Sequence, residues 1–594
     1  MDDRAAAIAY LAEGFALLRK HGLYGKSDEP HRFAMDRALA NFADKRGRTL
    51  CLQTGDTGDT RGRDTGGRTF CDTGGRTFCV PGSRGEGAAE AAAALQALYE
   101  AKRLVTARSS LEGRRIILGD WFMSLAVSLA LPLGNARLSG LMSEELRNVG
   151  TNANSINRRV SKQDFCKTID RFTDALLHQT DGQTDGDVPC VCTQGETDGD
   201  VRTKGDGSSV RTKGDSSSVL EIKNNVISGA FPADNKLLAA IGSGYHKTAA
   251  KETRRALSLL EDWFAARYAS EAACETDGWI YGAIMSGGKR MRPILVRLCA
   301  GLGAEDSNGG RIADETTVVN IMSTIELMHS ASLVHDDIVD RSPMRRSRAT
   351  INAEKGDGYA AMCGFIMIAD AIRLIGAGAS DRLTELLSSI PKKMCGGELH
   401  QLDVENKPEL QSEEEYFRRI ACKTAALIEG SCVSGAIAGG ADESTIDNLS
   451  EFGRALGLLF QLRDDLLDYG PPHKSGKPVS QDMERGVYSL PLLRAKETLL
   501  SADPEEHERL DAVLRKHIKE PSDFRYLNKI AESSGGISYA IGRIEEQARA
   551  ALSSLVLLPQ NAWTEALSLI VISLTENYSH EGFLAYNKTR FSNE

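Results

Sequence analysis

Two clusters of acidic residues have a spacing suited to chemistry. In SASLVHDDIVD and in FQLRDDLLD, two aspartates stand four residues apart and a third follows the first directly. The clusters consist of Asp336, Asp337 and Asp340, and of Asp464, Asp465 and Asp468. Aspartates four apart project from one helix face, and buried carboxylates without partners are costly. Magnesium shared with substrate phosphates relieves that repulsion, so the clusters predict a magnesium site. Acidic helix ends at the surface are the alternative interpretation.

Basic residues accompany these clusters along the chain. They lie in GGKRMRP, RSPMRRSRAT, CKT and SGKPVSQD, and comprise Lys289, Arg290, Arg292, Arg345, Arg346, Lys423 (beside Thr424) and Lys477 (before Asp482). A site for several phosphate groups needs side-chain cations as well as metal. Acids and bases together therefore predict a diphosphate site.

The segments that carry these residues have a helical pattern. Residues 317–340, 413–439 and 449–470 place apolar side chains three and four apart over long runs. No block of alternating β-branched residues separates them. We therefore expect an all-α fold of long helices packed around a central cavity.

Length and glycine usage predict a chain of several parts. The 594 residues suggest more than one folding unit, and 57 Gly against 16 Pro place part of the glycine outside compact helices. Short repeats fill residues 54–87, where DTGGRTFC occurs twice, and residues 179–219. We expect disordered linkers there rather than calcium-binding turns, whose spacing is missing. The predicted divisions are a helical segment at 1–53, a linker at 54–87, a helical region at 88–178, a linker at 179–233 and a main domain at 234–594.

Charge and cysteine usage limit the class of protein. A net charge of −10 argues against a protein that coats nucleic acid. The start MDDRAAAIAYLAEG does not resemble a secretory signal, and the apolar run Trp121–Gly134 is too short to cross a bilayer. The 12 cysteines are expected to be free thiols in a reducing compartment, since their spacing does not fit zinc. We expect a cytoplasmic protein.

The motifs, taken in order, resemble the trans-isoprenyl diphosphate synthase family. GGKRMRP, ELMHSASLVHDDIVD, the Arg-Arg pair, GELHQL, CKTAAL, FQLRDDLLD, GKP and SLPLL follow the family's sequence and spacing over about 238–586. The resemblance implies an all-α isoprenoid-synthase bundle around a central cavity. It also implies condensation of an allylic diphosphate with isopentenyl diphosphate, with bound Mg²⁺ as the cofactor.

Individual roles follow from the resemblance by position. Metal ligation is implied for the six aspartates of the two clusters, with Asp336 and Asp340 holding the allylic diphosphate through magnesium. Contacts to the allylic diphosphate are implied for Arg345, Lys423, Thr424, Gln461 and Lys477. The isopentenyl diphosphate site is implied at Lys289, Arg292, His329 and Arg346. His329 alone would more often be a structural histidine.

Two small residues suggest the product length. Ala331 and Ser332 lie five and four residues before Asp336, one helical turn deeper on the side where a growing tail would run. Family members with bulky aromatics there stop early, so this chain resembles a medium- or long-chain synthase. A short-chain farnesyl or geranylgeranyl diphosphate synthase and a non-catalytic subunit of a heteromeric synthase are the alternatives. A terpene cyclase fits less well, because its second metal motif differs.

Some positions depart from the family pattern. Ser347, Ala349 and Asn352 replace a usual Gly, Pro and His after the Arg-Arg pair, and Val487 replaces a usual Lys. These departures affect the expected loop contacts of the substrate more than the family resemblance itself.

The first half carries a weaker resemblance to the second. Gly119 and Asp120 match a Gly-Asp pair of the family, and residues 161–176 align without gaps on 412–427. This half lacks the acidic clusters. We therefore expect a homodimer, or an internal pseudo-dimer in which the first half takes the partner's place. Unrelated amphipathic helices are the alternative. At most peripheral membrane contact is expected, for product release.

Overall fold

The computed structural model describes the second half of the chain and a few elements of the first. The described residues are 67–71, 77–81, 94, 97, 113–130, 247–271, 273–306, 314–346, 348–376, 380–469 and 481–575. The predicted helical segment 1–53, the linker 179–233, the alignment at 161–176, Lys477 and Ser347 lie outside these residues.

The described part is built from helices, which confirms the predicted all-α class. In chain order they are α1 Gly113–Ala130, α2 Lys247–Tyr268, α3 Glu275–Met285, α4 Met291–Asp306, α5 Glu315–Val339, α6 Ile351–Lys355, α7 Asp357–Gly376, α8 Asp381–Val404, α9 Glu413–Ile420, α10 Ala426–Ala438, α11 Glu443–Leu467, α12 Gln481–Arg485, α13 Leu490–Ala502, α14 Pro504–Leu514, α15 Pro521–Ser533, α16 Gly536–Val556 and α17 Ala562–Thr575. A π-helical turn, Ala421–Ala425, joins α9 to α10, and a 3₁₀ turn, Pro408–Leu410, precedes α9.

Two short hairpins accompany the helices. Strands β1 Gly67–Cys71 and β2 Thr77–Pro81 pair antiparallel, with Thr69 opposite Cys79. This pairing departs from the linker predicted for 54–87. The repeat supplies both strands with the same Thr-Phe-Cys, and Thr and Phe favour extended backbone. Strands β3 Met344–Arg345 and β4 Arg348–Ala349 form the second hairpin, just after α5.

Local sequence defines where the site-bearing helices begin. The Asp314 side chain accepts a hydrogen bond from the Thr316 amide and caps α5. Ser412 caps α9 through the Glu415 amide, and Asp442 caps α11 through the Thr445 amide at 2.7 Å. Side-chain oxygens at these positions satisfy amides that the first helical turn leaves without partners. The caps therefore fix where α5 and α11, which end in the acidic clusters, and α9, which leads into the π-helical turn, begin.

The core forms where α5 packs on α7, α4 on α10, and α11 on both α10 and α16. On α5, the buried residues Ile321, Ile325 and Met328 follow helical spacing. Helix α1 of the first half joins the same core, packing mainly on α8 with Trp121 and Phe122 fully buried. The Lys392 ammonium lies 5.3 Å from the centre of the Trp121 ring. The first half therefore contributes to the bundle rather than lying beside it.

Two helical stretches are long and apolar enough to cross a membrane by length and composition. They are 357–375 and 413–438, and 83% and 72% of their most apolar windows are buried inside the protein. Core helices of soluble proteins pass the same test, so this is weak support for a membrane span.

Helices α4 and α10 approach each other at two glycines. A Cβ atom on Gly435 would lie 2.3 Å from the Val296 carbonyl oxygen, and one on Gly439 would lie 2.4 Å from that of Ala300. Both glycines and both carbonyls are four residues apart, so the two backbones meet along one ridge. The obstructing atoms belong to the backbone and have little freedom to move.

We expect Gly435→Ala to destabilise the protein by about 1–3 kcal/mol, because a methyl group is forced into a filled interface. Gly542→Ala on α16 is the matched control, since nothing lies within 4 Å of its added Cβ. That change should stabilise the protein by about 0.5–1 kcal/mol through helix propensity. Thermal unfolding of both variants measures the difference. Equal melting temperatures for the two variants would contradict the close approach.

Candidate active site

One cavity of about 760 Å³ collects most of the residues singled out by the sequence. Its walls come from α1, α5, α8, the π-helical turn and α11, with the β3–β4 hairpin at one side. The predicted site residues that line it are Arg292, His329, Ser332, Asp336, Asp337, Asp340, Arg345, Arg346, Lys423, Thr424, Gln461, Asp464, Asp465 and Asp468.

The first acidic cluster closes the C-terminal end of α5. Asp340 is the C-cap residue, and its amide donates to the Asp336 carbonyl at 2.7 Å. Burial raises the pKa of Asp336 to about 7, although the Lys423 charge lowers it. Burial also raises the pKa of Asp340, against the charge of Arg485. Asp337 accepts a hydrogen bond from Arg345 Nε at 2.7 Å. Without metal, each of these acids thus lies near a cation.

The second cluster closes the C-terminal end of α11 in the same way. Asp465 is buried, and its two oxygens accept hydrogen bonds from Tyr416 Oη at 2.7 Å and Gln461 Nε2 at 2.6 Å. Burial and then the charge of Asp482 raise the pKa of Asp465 to about 7. Asp464 and Asp468 line the cavity beside it. Two pairs of helix-end acids therefore share one cavity.

The π-helical turn carries Lys423 and Thr424. π-turns within helices are frequent at functional sites because they redirect side chains. Lys423 Nζ forms an ion pair with Glu398 and donates to Gln401 Oε1 at 3.2 Å, while Thr424 Oγ1 donates to Gln461 Oε1 at 2.6 Å. Burial lowers the pKa of Lys423, but Glu398, Asp336 and Asp340 raise it above its ordinary value. Lys423 is therefore held charged among acids.

Close packing fixes where that turn lies. A Cβ atom on Gly397 of α8 would be 2.8 Å from the Lys423 amide nitrogen. Only glycine allows α8 to pass so near the π-helical turn. The GELHQL motif thus combines two tasks: its glycine brings the turn close, and its Glu398 pairs with Lys423.

Arginine and histidine side chains line the other side of the cavity. Arg292 Nη1 lies 3.2 Å from His329 Nε2. Burial, and then the charges of Arg292 and Arg346, lower the pKa of His329 well below its ordinary value. Burial lowers the pKa of Arg292 to about 10. His329 is thus neutral near pH 7 and accepts a hydrogen bond from Arg292 on this nitrogen.

The preceding loop positions these groups. Gly287 and Gly288 adopt positive φ values of 116° and 130°, and Arg346 donates to the Gly287 carbonyl. Lys289 is exposed. Arg290, by contrast, is buried in an ion pair with Glu326. Arg290 is therefore committed to the fold, whereas Arg292 reaches the cavity.

The two residues considered for product length occupy different places. Ser332 lines the cavity, and its hydroxyl donates to the His329 carbonyl at 2.9 Å. Ala331 is 1% exposed within the packed core and is absent from the cavity wall. Ser332 is therefore the position from which a larger side chain would enter the cavity.

Sequence reasoning did not assign a site role to four residues that the structure brings to the acids. Arg485 forms ion pairs with Asp340 and with Glu405, the latter at 2.9 Å. Glu398 forms an ion pair with Lys423, and the Tyr416 hydroxyl donates to Asp465. Asp120 of α1 lines the cavity. The sequence contained a signal for two of these residues, because Glu398 belongs to the GELHQL motif and Asp120 to the Gly-Asp pair. The partners of Arg485 and Tyr416 lie far away in sequence.

The donor set has the chemistry of a divalent-cation site. Among the described residues, no group of three His, Cys, Asp or Glu side chains could hold a metal ion on its own. Carboxylates of two helix ends instead line one cavity, and the pKa values of Asp336 and Asp465 are raised mainly by burial. Such oxygens fit a cation that takes its remaining ligands from bound phosphates.

Two departures from the family pattern, Ala349 and Asn352, lie in or directly after the β3–β4 hairpin. Asn352 Nδ2 donates weakly to the Asp337 and Ser342 carbonyls at 3.3 and 3.4 Å. Thr350 caps α6 and donates to the Ser342 carbonyl at 2.7 Å. Ala349 is exposed, and Val487 is buried. Asn352 thus braces the turn that follows the first acidic cluster.

Fold and cavity define an all-α bundle with two acidic helix ends and several cations around one chamber. The profile of the polyprenyl synthetase family matches residues 279–531. Octaprenyl diphosphate synthase of Haemophilus influenzae is 34% identical over 301 residues, covering 50% of this chain and 86% of the relative. Heptaprenyl diphosphate synthase component 2 of Geobacillus stearothermophilus is 33% identical over 272 residues, covering 43% and 81%. The crystal structure of a decaprenyl diphosphate synthase from Rhodobacter capsulatus superposes with a TM-score of 0.51 at 27% identity, covering 56% of this chain and 100% of that chain. The chain belongs to the polyprenyl synthetase family, which confirms the resemblance.

The Tyr416–Asp465 contact predicts a pH-dependent variant. The folded-state pKa of Asp465, about 7, exceeds the ordinary 3.8, so the folded state keeps a proton that the unfolded state releases between these values. That contribution to stability is present at low pH and is lost as pH rises through 7. We expect Tyr416→Phe to cost about 1–3 kcal/mol at pH 8.5, where it deprives a buried carboxylate of its donor, and less at pH 5.5.

Thermal unfolding with EDTA at both pH values measures this difference. Tyr488→Phe is the matched control, because the equally buried Tyr488 hydroxyl donates to the Leu514 carbonyl, which does not titrate. Its cost should be the same at both pH values. A Tyr416→Phe cost that does not change with pH would refute the assigned contact.

Proposed function

We propose that this cavity extends all-trans polyprenyl diphosphates by condensing isopentenyl diphosphate with an allylic diphosphate such as farnesyl or geranylgeranyl diphosphate. The chain is then a trans-prenyltransferase of medium to long product length, as its octaprenyl, heptaprenyl and decaprenyl relatives are named. One observation carries the proposal: both acidic clusters and the cationic side chains line a single cavity.

The acidic side of the cavity takes the allylic diphosphate in this proposal. Lys423, Thr424, Gln461 and Arg345 supply donors there, and Lys477 is assigned to the same group from the sequence. Lys423 supports the assignment because it is already held charged beside Asp336. A diphosphate that enters would replace the carboxylates as its partner.

The opposite side takes isopentenyl diphosphate. Arg292, His329 and Arg346 line the cavity there, and the exposed Lys289 follows the glycine loop. Arginine forks suit a diphosphate that no metal neutralises. With a neutral imidazole, His329 adds a hydrogen bond without a further charge.

Magnesium is the cofactor we propose, held by Asp336, Asp337, Asp340, Asp464, Asp465 and Asp468 together with diphosphate oxygens. When bound, it supplies the positive charge that stabilises a departing diphosphate. The donor set supports this choice, because all six carboxylates line one cavity and burial raises the pKa of Asp336 and of Asp465.

The proposed reaction breaks the allylic carbon–oxygen bond and forms one carbon–carbon bond. Lys423 and Arg345 donate to the diphosphate as it takes both electrons of the breaking bond. The double bond of isopentenyl diphosphate then attacks the allylic cation, and the adduct loses a proton to the departed diphosphate. Since water would capture the cation, the buried walls that exclude it are part of the mechanism.

Assembly and location are part of the same proposal. Helix α1 packs on α8 and touches α5 and α7, which supports an internal pseudo-dimer in which the first half replaces a partner subunit. A homodimer of the whole chain is the alternative arrangement. We propose a cytoplasmic enzyme that contacts membranes peripherally when it releases its product.

Removing one acid from each cluster should stop condensation. We expect Asp336→Asn and Asp464→Asn each to lower kcat by about 100-fold or more, because charge on the leaving diphosphate loses its stabilisation. The measurement is incorporation of labelled isopentenyl diphosphate into farnesyl diphosphate with magnesium, with sizing of the products.

Asp447→Asn on α11 is the control, since this exposed aspartate lies on the same helix outside the cavity. It should retain full activity. Near-normal condensation by Asp336→Asn would overturn the assignment. If the parent releases a cyclic hydrocarbon, it is a cyclase, and if it has no turnover, it acts as a non-catalytic subunit.

Product length should respond to Ser332 and not to Ala331. We expect Ser332→Phe to shorten the products, because an aromatic ring from this position enters the cavity. Ser332→Ala, the control, should leave the length unchanged. Ala331→Phe should instead lower the melting temperature, since it overfills the core. Chromatographic sizing of dephosphorylated products tests this, and unchanged lengths with Ser332→Phe would contradict it.

A further inference from the structure

Helix α1 contributes two residues to the wall of the reaction cavity. Ile117 and Asp120 lie one turn apart on this helix and both line the chamber that contains Asp336. Asp120 is 7% exposed. Its Oδ2 lies 2.5 Å from Nδ1 of His335, a residue more than 200 positions later in the chain. The first half therefore contacts the second at the site itself.

His335 lines the same cavity, and its ring is held by contacts from several elements. It is buried, and its Nε2 lies 3.1 Å from the Ala361 carbonyl oxygen on α7. A Cβ atom on Gly364 would stand 2.0 Å from Nε2, so this glycine leaves the space that the imidazole ring occupies. The Phe365 ring packs against the imidazole at 5.3 Å between centres.

The two contacts hold the ring at both of its nitrogens. A carbonyl oxygen only accepts, so Nε2 donates to Ala361. Nδ1 lies within hydrogen-bond distance of the Asp120 carboxylate. Asp120 and His335 are therefore a buried polar pair that spans the two halves.

The position of His335 links this pair to the site. It precedes Asp336 directly, on the last turns of α5 before the first acidic cluster. A ring held between α1 and α7 fixes the rotation of that helix end. Catalytic groups need placement to within about 0.5 Å, so the contact between Asp120 and His335 helps to define where Asp336 points.

A second buried aspartate, in the Ala-Asp pair of α7, has different partners. Asp370 of α7, after Ala369, is partnered within the second half by Tyr268 Oη at 2.7 Å and by Arg267. Asp120 reaches across to His335 instead. Its other oxygen, Oδ1, is buried and has no hydrogen-bond partner among the described residues. The Asp120 carboxylate therefore depends on His335, while Asp370 serves its own half.

We propose that Asp120 is a positioning residue of the prenyl-transfer site, supplied by the first half, which locks His335 and with it the first acidic cluster. The inference rests on the proposed function, since it concerns the same cavity. In this proposal, the contact between Asp120 and His335 makes the first half part of the active site.

The test compares three variants of the full chain, normalised to folded protein by circular dichroism. We expect Asp120→Ala to lower kcat by about 10- to 100-fold, because small misplacements of reacting groups cost that much. KM for isopentenyl diphosphate should stay within about twofold, since its proposed contacts do not involve Asp120. Asp120→Asn should recover most of the loss, because its amide keeps a hydrogen-bonding group against Nδ1.

Leu125→Ala is the matched control. Leu125 is fully buried on the same helix and does not line the cavity, so its loss should lower the melting temperature and leave kcat at 25 °C unchanged. If Asp120→Ala does not fold, Asp120→Ser takes its place. A parent-like kcat in folded Asp120→Ala, or in Asp120→Ser where that variant replaces it, would reduce the pair to a stabilising contact and overturn the inference. If the parent chain is active in that outcome, the proposed function still stands. If the parent chain itself has no activity, both the proposed function and this inference fail.

Discussion

The placement of like charges around one cavity is the constraint on which the rest of this structure depends. Carboxylates of two helix ends line one cavity, and burial raises the pKa of Asp336 and of Asp465 to about 7. The fold tolerates them because Lys423 and Arg485 reach Glu398 and Asp340 from other elements. Buried ion pairs of this kind add little net stability, because desolvation offsets the attraction. The acids and cations around the cavity are better explained by the binding of ligands of both charge signs than by the stability of the fold itself.

Several local features of the fold hold these groups in place. The π-helical turn presents Lys423 and Thr424, and Gly397 lets α8 pass within contact of its backbone. Gly435 and Gly439 bring α10 against α4, the helix that carries Arg292. Each of these features lowers the local helix propensity and allows two backbone segments to approach closely. The cost is offset by the large apolar interfaces of α4, α5, α7 and α11.

Sequence predicted the parts of this arrangement that repeat at short range. Aspartates four residues apart predict a shared helix face, and apolar periodicity predicts the helical bundle. Contacts that depend on tertiary folding left no such signal: Tyr416 meets Asp465 across 49 positions, and Arg485 meets Asp340 across 145. Ala331 and Ser332 are neighbours with similar volume, yet only Ser332 reaches the cavity, because the packing of α5 against α7 decides which face is lined. The β1–β2 hairpin was missed because Gly-rich repeats carry no apolar period.

The contribution of α1 shows why a first half without the acidic clusters can still belong to the site. Asp120 Oδ2 lies 2.5 Å from His335 Nδ1, and the Ala361 carbonyl of α7 contacts the other ring nitrogen, so the ring is held in one orientation. A partner surface that supplied only apolar contacts would bury His335 but leave Nδ1 without a hydrogen-bond partner, which is costly. Hence the chemistry of the second half requires a hydrogen-bonding side chain from the first half at position 120.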